Sequence, residues 1–145
     1  MIGKEYAIGT DQLDLYMPER FGLSYTDSEG KPKMPYIIHR APLGSHERMV
    51  GFLLEHFAGA FPTWLSPVQV VVLPISEKHL DYAQEVMQSL KAAGVRVELD
   101  AANESLGKKI RNAKMQKVPY FLVLGDKEVE AKQVGVESRD KGQLG

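Results

Sequence analysis

The chain has 145 residues, of which 43% are hydrophobic and 26% charged, with a net charge of −1 and no cysteine. That length holds one domain, or a small domain plus part of another, and the lack of cysteine excludes disulfides and thiolate metal ligands within the chain. No apolar run approaches the ~20 residues of a membrane span, Met1–Glu5 lacks the pattern of a signal peptide, and a near-neutral chain is not a bulk attractor of nucleic acid; a cytoplasmic protein with no membrane partner is expected.

In chain order, Glu5 to Met17 alternates loosely and reads as extended strand. Asp27-Ser28-Glu29-Gly30-Lys31-Pro32 reads as a turn, and Pro35 to Ala41 as a second strand. Ser45 is placed to cap a helix whose apolar residues (Met49, Val50, Phe52, Leu53, Leu54, Phe57) fall on nearly every side, which predicts a buried helix. Ala58-Gly59-Ala60-Phe61-Pro62 ends it. The texture changes near Leu65-Ser66-Pro67, which predicts one unit over residues 1–66 and a second over 67–145.

Val68 to Ile75 is a Val-rich apolar run, as expected of a strand covered on both faces. Ser76 begins a helix with Leu80, Ala83, Val86, Met87 and Leu90 at helical spacing, closed by Gly94. Val95 to Leu99 reads as a strand, and Asn103 as the cap of a helix with Leu106, Ile110 and Ala113 turned inward. Pro119 to Leu124 is a further strand, Gly125-Asp126-Lys127 a turn, and Gln133 to Glu137 a last short strand. Alternating strands and helices predict a largely parallel α/β sheet with right-handed crossovers. The first unit lacks a complete core of its own and the second stops where another covering helix is expected, so both ends look cut.

Charge is uneven. Glu104 to Lys117 carries Lys108, Lys109, Arg111, Lys114 and Lys117 against one acid. The simplest account of such a helix is a solvated face; local phosphate contact is the alternative. Lys108, Arg111, Lys114 and Lys117 recur every third residue and drift around the helix, so only some can face one RNA strand. Arg48 lies in the first turn of its helix, where the macrodipole favours acids, so the position invites an anion unless it pairs with Glu47 or a neighbouring strand. His39 is a lone histidine in an apolar strand, ordinarily a satisfied histidine and not a ligand.

Two stretches carry a resemblance. Ile38-His39-Arg40-Ala41-Pro42-Leu43-Gly44-Ser45-His46-Glu47-Arg48, continuing from Glu55 to Gln69, resembles motif 3 of class II aminoacyl-tRNA synthetases in its threonyl form. Val118-Pro119-Tyr120-Phe121-Leu122-Val123-Leu124-Gly125-Asp126-Lys127-Glu128-Val129 is similar to the centre of the anticodon-binding domain of that class, and Gly9-Thr10-Asp11-Gln12-Leu13-Asp14 to the strand preceding motif 3. The resemblance spans almost the whole chain. It implies part of an antiparallel class II catalytic sheet with the motif 3 helix, then a mostly parallel α/β anticodon-binding domain without its last helix.

The resemblance also implies roles. Arg48 matches the arginine that holds ATP phosphate, a task suited to a permanent planar cation. Thr10, Gln12 and Ser45 match positions lining the aminoacyl-adenylate pocket, with Thr10 and Gln12 toward ATP and Gln12 and Ser45 toward threonine. His39 matches one of three zinc ligands, the others being a cysteine and a histidine upstream of this chain. In the family that zinc takes the amino and hydroxyl groups of threonine, so valine is rejected for want of a ligating group. One imidazole does not hold zinc alone, so an incomplete site is expected here. Asn103, Lys117 and Glu128 match positions used for anticodon contacts, Lys117 replacing an arginine. Two departures stand out: Tyr6-Ala7 where many members have Trp-Gln, and Glu137 where an arginine is typical, which predicts a lost or moved contact.

The activity implied is a threonine–tRNA ligase, with ATP and magnesium, threonine and tRNA(Thr) as substrates, and a homodimer as the complete enzyme. This chain by itself is expected to be inactive without the upstream part. The alternative is a stand-alone RNA-binding or accessory module built from synthetase parts, against which His39, Ser45 and Arg48 argue. A prolyl, glycyl or histidyl enzyme is a third reading, disfavoured by His39.

Overall fold

The computed structural model describes Gly3 and residues 5–144. The chain forms two compact units, residues 1–56 and 57–145.

In the first unit, β1 (Thr10–Asp14) pairs antiparallel with β4 (Ile37–Ala41), so that Gln12 lies opposite His39 and Leu13 opposite Ile38. The extended reading of residues 5–17 is too long. Asp14 Oδ1 accepts from the amides of Tyr16 at 3.0 Å and Met17 at 2.9 Å, a local bond that turns the chain out of the ladder. It leads into the short helix α1 (Met17–Arg20). The expected turn is present between β2 (Tyr25–Thr26) and β3 (Pro32–Lys33), antiparallel to each other. Asp27 Oδ1 organises it by accepting from the amides of Glu29 and Lys31, each at 2.9 Å.

The helix α2 (His46–Phe57) starts as expected, with Ser45 Oγ accepting from the Arg48 amide at 3.2 Å. Its expected burial is not found: no residue of α2 is buried, and Val50 and Leu54 are exposed. Two narrow strand pairs and one helix cannot surround an apolar cylinder. Among the described residues of this unit only Pro18 is buried.

The second unit holds the core. Its sheet runs in the order β6-β5-β7-β8-β9, built from β5 (Val70–Pro74), β6 (Val97–Leu99), β7 (Tyr120–Leu124), β8 (Gly135–Ser138) and β9 (Gly142–Gln143). β5 is parallel to both β6 and β7, while β8 is antiparallel to β7 and β9 antiparallel to β8, so four of the five strands point the same way. The fold is therefore mixed α/β with a mostly parallel sheet; β9 adds a strand beyond the one expected at residues 133–137.

Alternation along β5 and β7 sends side chains to two faces. Val71, Leu73 and Phe121 pack with Ala113, Leu106 and Ile110 of α4 (Leu106–Met115). Val72, Leu122 and Leu124 pack with Ala83, Val86, Met87 and Leu90 of α3 (Leu80–Ala92) on the other. Because β5 is flanked by β6 and β7 and the two crossover helices lie on opposite faces, the strand order reverses at β5. In open α/β sheets such a switch point commonly leaves a binding crevice. Here protein fills it: the Ile75 amide donates to the Leu124 carbonyl at 2.9 Å. The helix after β7 begins at once as α5 (Asp126–Ala131), so residues 125–127 form a helix start and not a free turn.

Lys109 is only 3% exposed, on the inner face of α4. Its Nζ donates to the carbonyls of Pro74 at 3.1 Å and Asp100 at 3.0 Å, tying together the ends of β5 and β6. Lys109→Met keeps the apolar stem and leaves both oxygens without this donor. Urea unfolding should show a loss of about 2 kcal/mol, the typical cost of stranding buried polar groups; an unchanged midpoint and slope would remove the role given to this ammonium.

Candidate functional site

The α4 side of the sheet is the surface best suited to contact another molecule. Phe121 faces α4, and Glu137 sits directly opposite it on β8, so Glu137 shares that face. The next pair on this face is Val123 with Gly135. A Cβ on Gly135 would stand 3.3 Å from the Val123 carbonyl oxygen, so glycine keeps the floor between these strands free of side chain. Glu128 Oε1 lies near the same point, 3.9 Å from where that Cβ would be.

Glu128 itself is more ordered than the sequence suggests. It is the third residue of α5, and its Oε2 accepts from the Gly125 amide at 2.9 Å, closing an otherwise unpaired donor at the helix start. One carboxylate oxygen is thus held while the other lies near Gly135 of β8. Asn103 is not the cap of α4, since the helix begins at Leu106 with Ser105 in the cap position. Asn103 lies two residues earlier in the loop after β6, in a recess shared with Ser76, Glu104 and Lys109. Both Asn103 and Glu128 therefore belong to the end of the sheet where β5, β6 and β7 finish.

Lys117 belongs to the opposite end. It precedes β7 with φ of 56°, its Nζ donates to the Ala58 carbonyl, and its own carbonyl accepts from Arg139 Nη1 at 2.9 Å. The five residues of β7 separate it from Glu128, roughly 17 Å at strand rise. The structure brings Asn103 and Glu128 to one edge and leaves Lys117 at the other, so a ligand touching all three has to run along the strand.

Most of the basic helix is engaged within the fold. Lys108 pairs with Glu104 at 2.7 Å, and Lys114 pairs with Glu137 at 2.8 Å with its Nζ 5.7 Å from the centre of the Phe121 ring. Lys109 is buried. Arg111 has no ion-pair partner among the described residues. Glu137 therefore does not stand alone as a repelling charge on this face; Lys114 balances it.

In the first unit, Thr10, Gln12 and Asp14 alternate onto one face of β1, and Ala41, His39 and Ile37 lie opposite them. Gln12, Asp14, Tyr16 and His39 line an open hollow of about 610 Å³. His39 Nε2 lies 2.9 Å from Asp14 Oδ2. Ser45 and Arg48 sit at the start of α2, with Arg48 exposed and not among the residues lining this hollow. The other departure noted in the sequence, Tyr6-Ala7, places Tyr6 against Phe52 of α2 with ring centres 6.0 Å apart.

A catalytic zinc site takes three protein ligands, and among the described residues no group of three or more His, Cys, Asp or Glu side chains is placed to hold a metal. His39 by itself supplies at most one of those three ligands.

Sequence reasoning missed the residues that support these sites. Lys109 lies three residues after Leu106 and four before Ala113, so helical spacing alone puts it inside. Arg96 donates to the Ser66 carbonyl at 3.0 and 2.8 Å and to the Trp64 carbonyl at 2.8 Å, and Arg139 donates to the Phe61 carbonyl at 3.1 Å. These two arginines bind the segment 57–67 to the rest of the second unit, a role with no local signal in the sequence.

The second unit is thus an α/β module whose mostly parallel sheet carries α3 on one face and α4 on the other. The family of anticodon binding domains matches residues 69–145, and the chain belongs to that family. The chain is 54% identical over 144 residues to the threonine–tRNA ligase of Clostridium tetani, covering 99% of this chain and 22% of the relative. It is 55% identical over 144 residues to that of Acetivibrio thermocellus, covering 99% and 23%. What it matches in these ligases includes their anticodon-binding region. Among solved structures, the RNA binding domain of threonyl-tRNA synthetase from Cryptosporidium parvum Iowa II superposes with a TM-score of 0.86 at 42% identity, covering 97% of this chain and 36% of that one. The chain spans less than a quarter of the length of the curated relatives. No helix of the described residues is long and apolar enough to cross a membrane.

The Asp14 carboxyl is held below its ordinary pKa of 3.8, first by the Met17 amide and then by the His39 ring. A carboxyl lowered in the folded state stabilises it above the unfolded pKa, and that contribution disappears as pH falls through the folded value. Carboxyl-carbon NMR should place the Asp14 midpoint below 3.8. His39→Ala should bring it partway back, the Met17 share remaining. An Asp14 midpoint unmoved by that substitution would mean the imidazole is not its partner in solution.

Proposed function

We propose that this chain is part of a threonine–tRNA ligase whose second unit reads the anticodon of tRNA(Thr) on the open face of its sheet. The observation that carries the proposal is identity above one half to threonine–tRNA ligases along 99% of the chain. The physical support is that Asn103 and Glu128 both lie at the end of the sheet where β5, β6 and β7 finish, with Gly135 leaving no side chain of its own beside Glu128. Sequence-specific RNA binding depends on splayed bases that stack and hydrogen-bond on their edges. A carboxylate with one oxygen anchored and the other free is a fixed acceptor for a base amino group, and a carboxamide can both donate and accept. Arg111 is a cation for the phosphates, and Lys117, whose Nζ also donates to the Ala58 carbonyl, is a second.

Within the same reading the first unit contributes to the site for ATP and threonine. Arg48 would meet the nucleotide phosphates, Thr10 and Gln12 would line the pocket, and Gln12 with Ser45 would border threonine. His39 would serve as one zinc ligand among donors from the upstream part of the enzyme. The complete enzyme would be a homodimer working in the cytoplasm, with magnesium accompanying ATP.

Two measurements test this. Titration of a tRNA(Thr) anticodon stem-loop should give tighter binding than a control loop of equal length at every salt concentration. Asn103→Ala and Glu128→Gln should each weaken the cognate loop about tenfold, roughly 1.4 kcal/mol, and narrow the gap to the control. Equal affinity for the two loops would reject anticodon reading. For the first unit, the chain assembled with the upstream part should support threonine-dependent ATP–pyrophosphate exchange. Arg48→Ala should lower that rate by about 10²-fold or more, as removal of a transition-state charge contact does; full exchange activity in the variant excludes the phosphate role.

A further inference from the structure

The loops after β5 and β7 are joined by a cluster that the anticodon reading does not use. His79 is 3% exposed in the turn that precedes α3. Its Nδ1 lies 3.2 Å from the Ser76 amide nitrogen and 3.2 Å from Ser76 Oγ. The amide can only donate, so Nδ1 accepts and the ring proton sits on Nε2. Nε2 then donates to Asp126 Oδ1 at 3.0 Å. Lys78 Nζ meets the same oxygen at 2.6 Å. Asp126 is the first residue of α5, and Glu128 is the third.

The seam is tight as well as polar. A Cβ on Gly125 would stand 2.7 Å from Ile75 Cδ1 and 3.1 Å from Glu128 Oε2, so glycine lets the two loops close on each other. The bond from the Gly125 amide to Glu128 Oε2 lies directly beside this contact. A helix of six residues is too short to hold itself in place. Its start is held by the Glu128 cap on the Gly125 amide and by what its first residue binds.

We propose that His79 is a positioning residue for Glu128: by holding Asp126 it fixes the start of α5, and with it the direction of the free Glu128 oxygen over β8. The inference rests on the reading of Glu128 as a base contact. His79 itself is buried and touches no RNA; it acts through Asp126. Lys78 adds a second, exposed tether to the same carboxylate.

The test is a double-mutant cycle on the whole chain, read as dissociation constants for the cognate anticodon stem-loop. Glu128→Gln is expected to weaken binding about tenfold. His79→Ala should weaken it about threefold or more in the wild-type background and have no further effect in Glu128→Gln, because the contact it positions is already gone. A general loss of stability would instead lower affinity equally in both backgrounds. His79→Gln, which can still present a donor to Asp126, should recover most of the affinity. Asp126→Ala removes a mostly exposed side chain, so it tests the same link without a cavity in the core, and it should reproduce the His79→Ala pattern. If Glu128→Gln binds as wild type, the reading of Glu128 falls and the inference with it. If Glu128→Gln is weak but the costs of His79→Ala and Asp126→Ala are absent or simply additive with it, the anticodon reading stands and the positioning role is refuted.

Discussion

The second unit depends on one pairing pattern: β5 lies between β6 and β7 and runs parallel to both. Parallel neighbours cannot be joined by hairpins, so each connection must leave the sheet and return through a crossover. With β6 and β7 on either side of β5, the two crossover helices come to opposite faces. The apolar faces of β5 and β7 are thereby covered on both sides, which accounts for the full burial of Val72, Leu73, Phe121 and Leu124. It also decides where the surface stays open: α4 packs over the β5 and β7 residues of its face, while Glu137 and Gly135 on β8 lie beyond that cluster.

That geometry sets the chemistry of the edge. The strand ends of β5, β6 and β7 bring together loops that are distant in sequence, and polar side chains bind them. Lys109 spans the carbonyls after β5 and β6, and His79 with Lys78 spans β5 and β7 through Asp126. The crevice that this topology commonly leaves for a ligand is thus occupied by the protein's own groups. The residues offered outward are displaced to its rim, Asn103 on one side and Glu128 on the other.

The first unit contrasts with the second. Leu13 and Ile38 face each other across the ribbon and both are exposed, as are Tyr16, Phe21 and Tyr36. Exposed apolar area of this extent is uncommon for a surface that meets only water. The polar face of the same ribbon carries the alternating Thr10, Gln12 and Asp14 with His39, an ordered set of groups on a strand pair that has little packing beneath it.

Much of this was legible from the chain alone, because it rests on short-range rules. An unbroken apolar run located β5 and helical spacing located α3 and α4 to within a few residues, and Ser45 was read correctly as a cap because capping is a bond between near neighbours. Errors fell where a local preference met a competing partner. Asn103 gave way to Ser105 at the start of α4, Gly125–Lys127 became a helix start once Glu128 could close it, and the apolar helix α2 stayed uncovered because periodicity reports which side chains favour burial and not whether neighbours exist to bury them. What the sequence determined by itself was the order of the elements from β5 to β7, the α/β class and the polar residue types present on the loops between them. Which of them share a surface was decided only in three dimensions: strand pairing sets Glu137 against Phe121, and hydrogen bonds across 35 and 47 residues of chain fix the edge. Such contacts carry no periodicity, since their partners are chosen by topology and not by spacing.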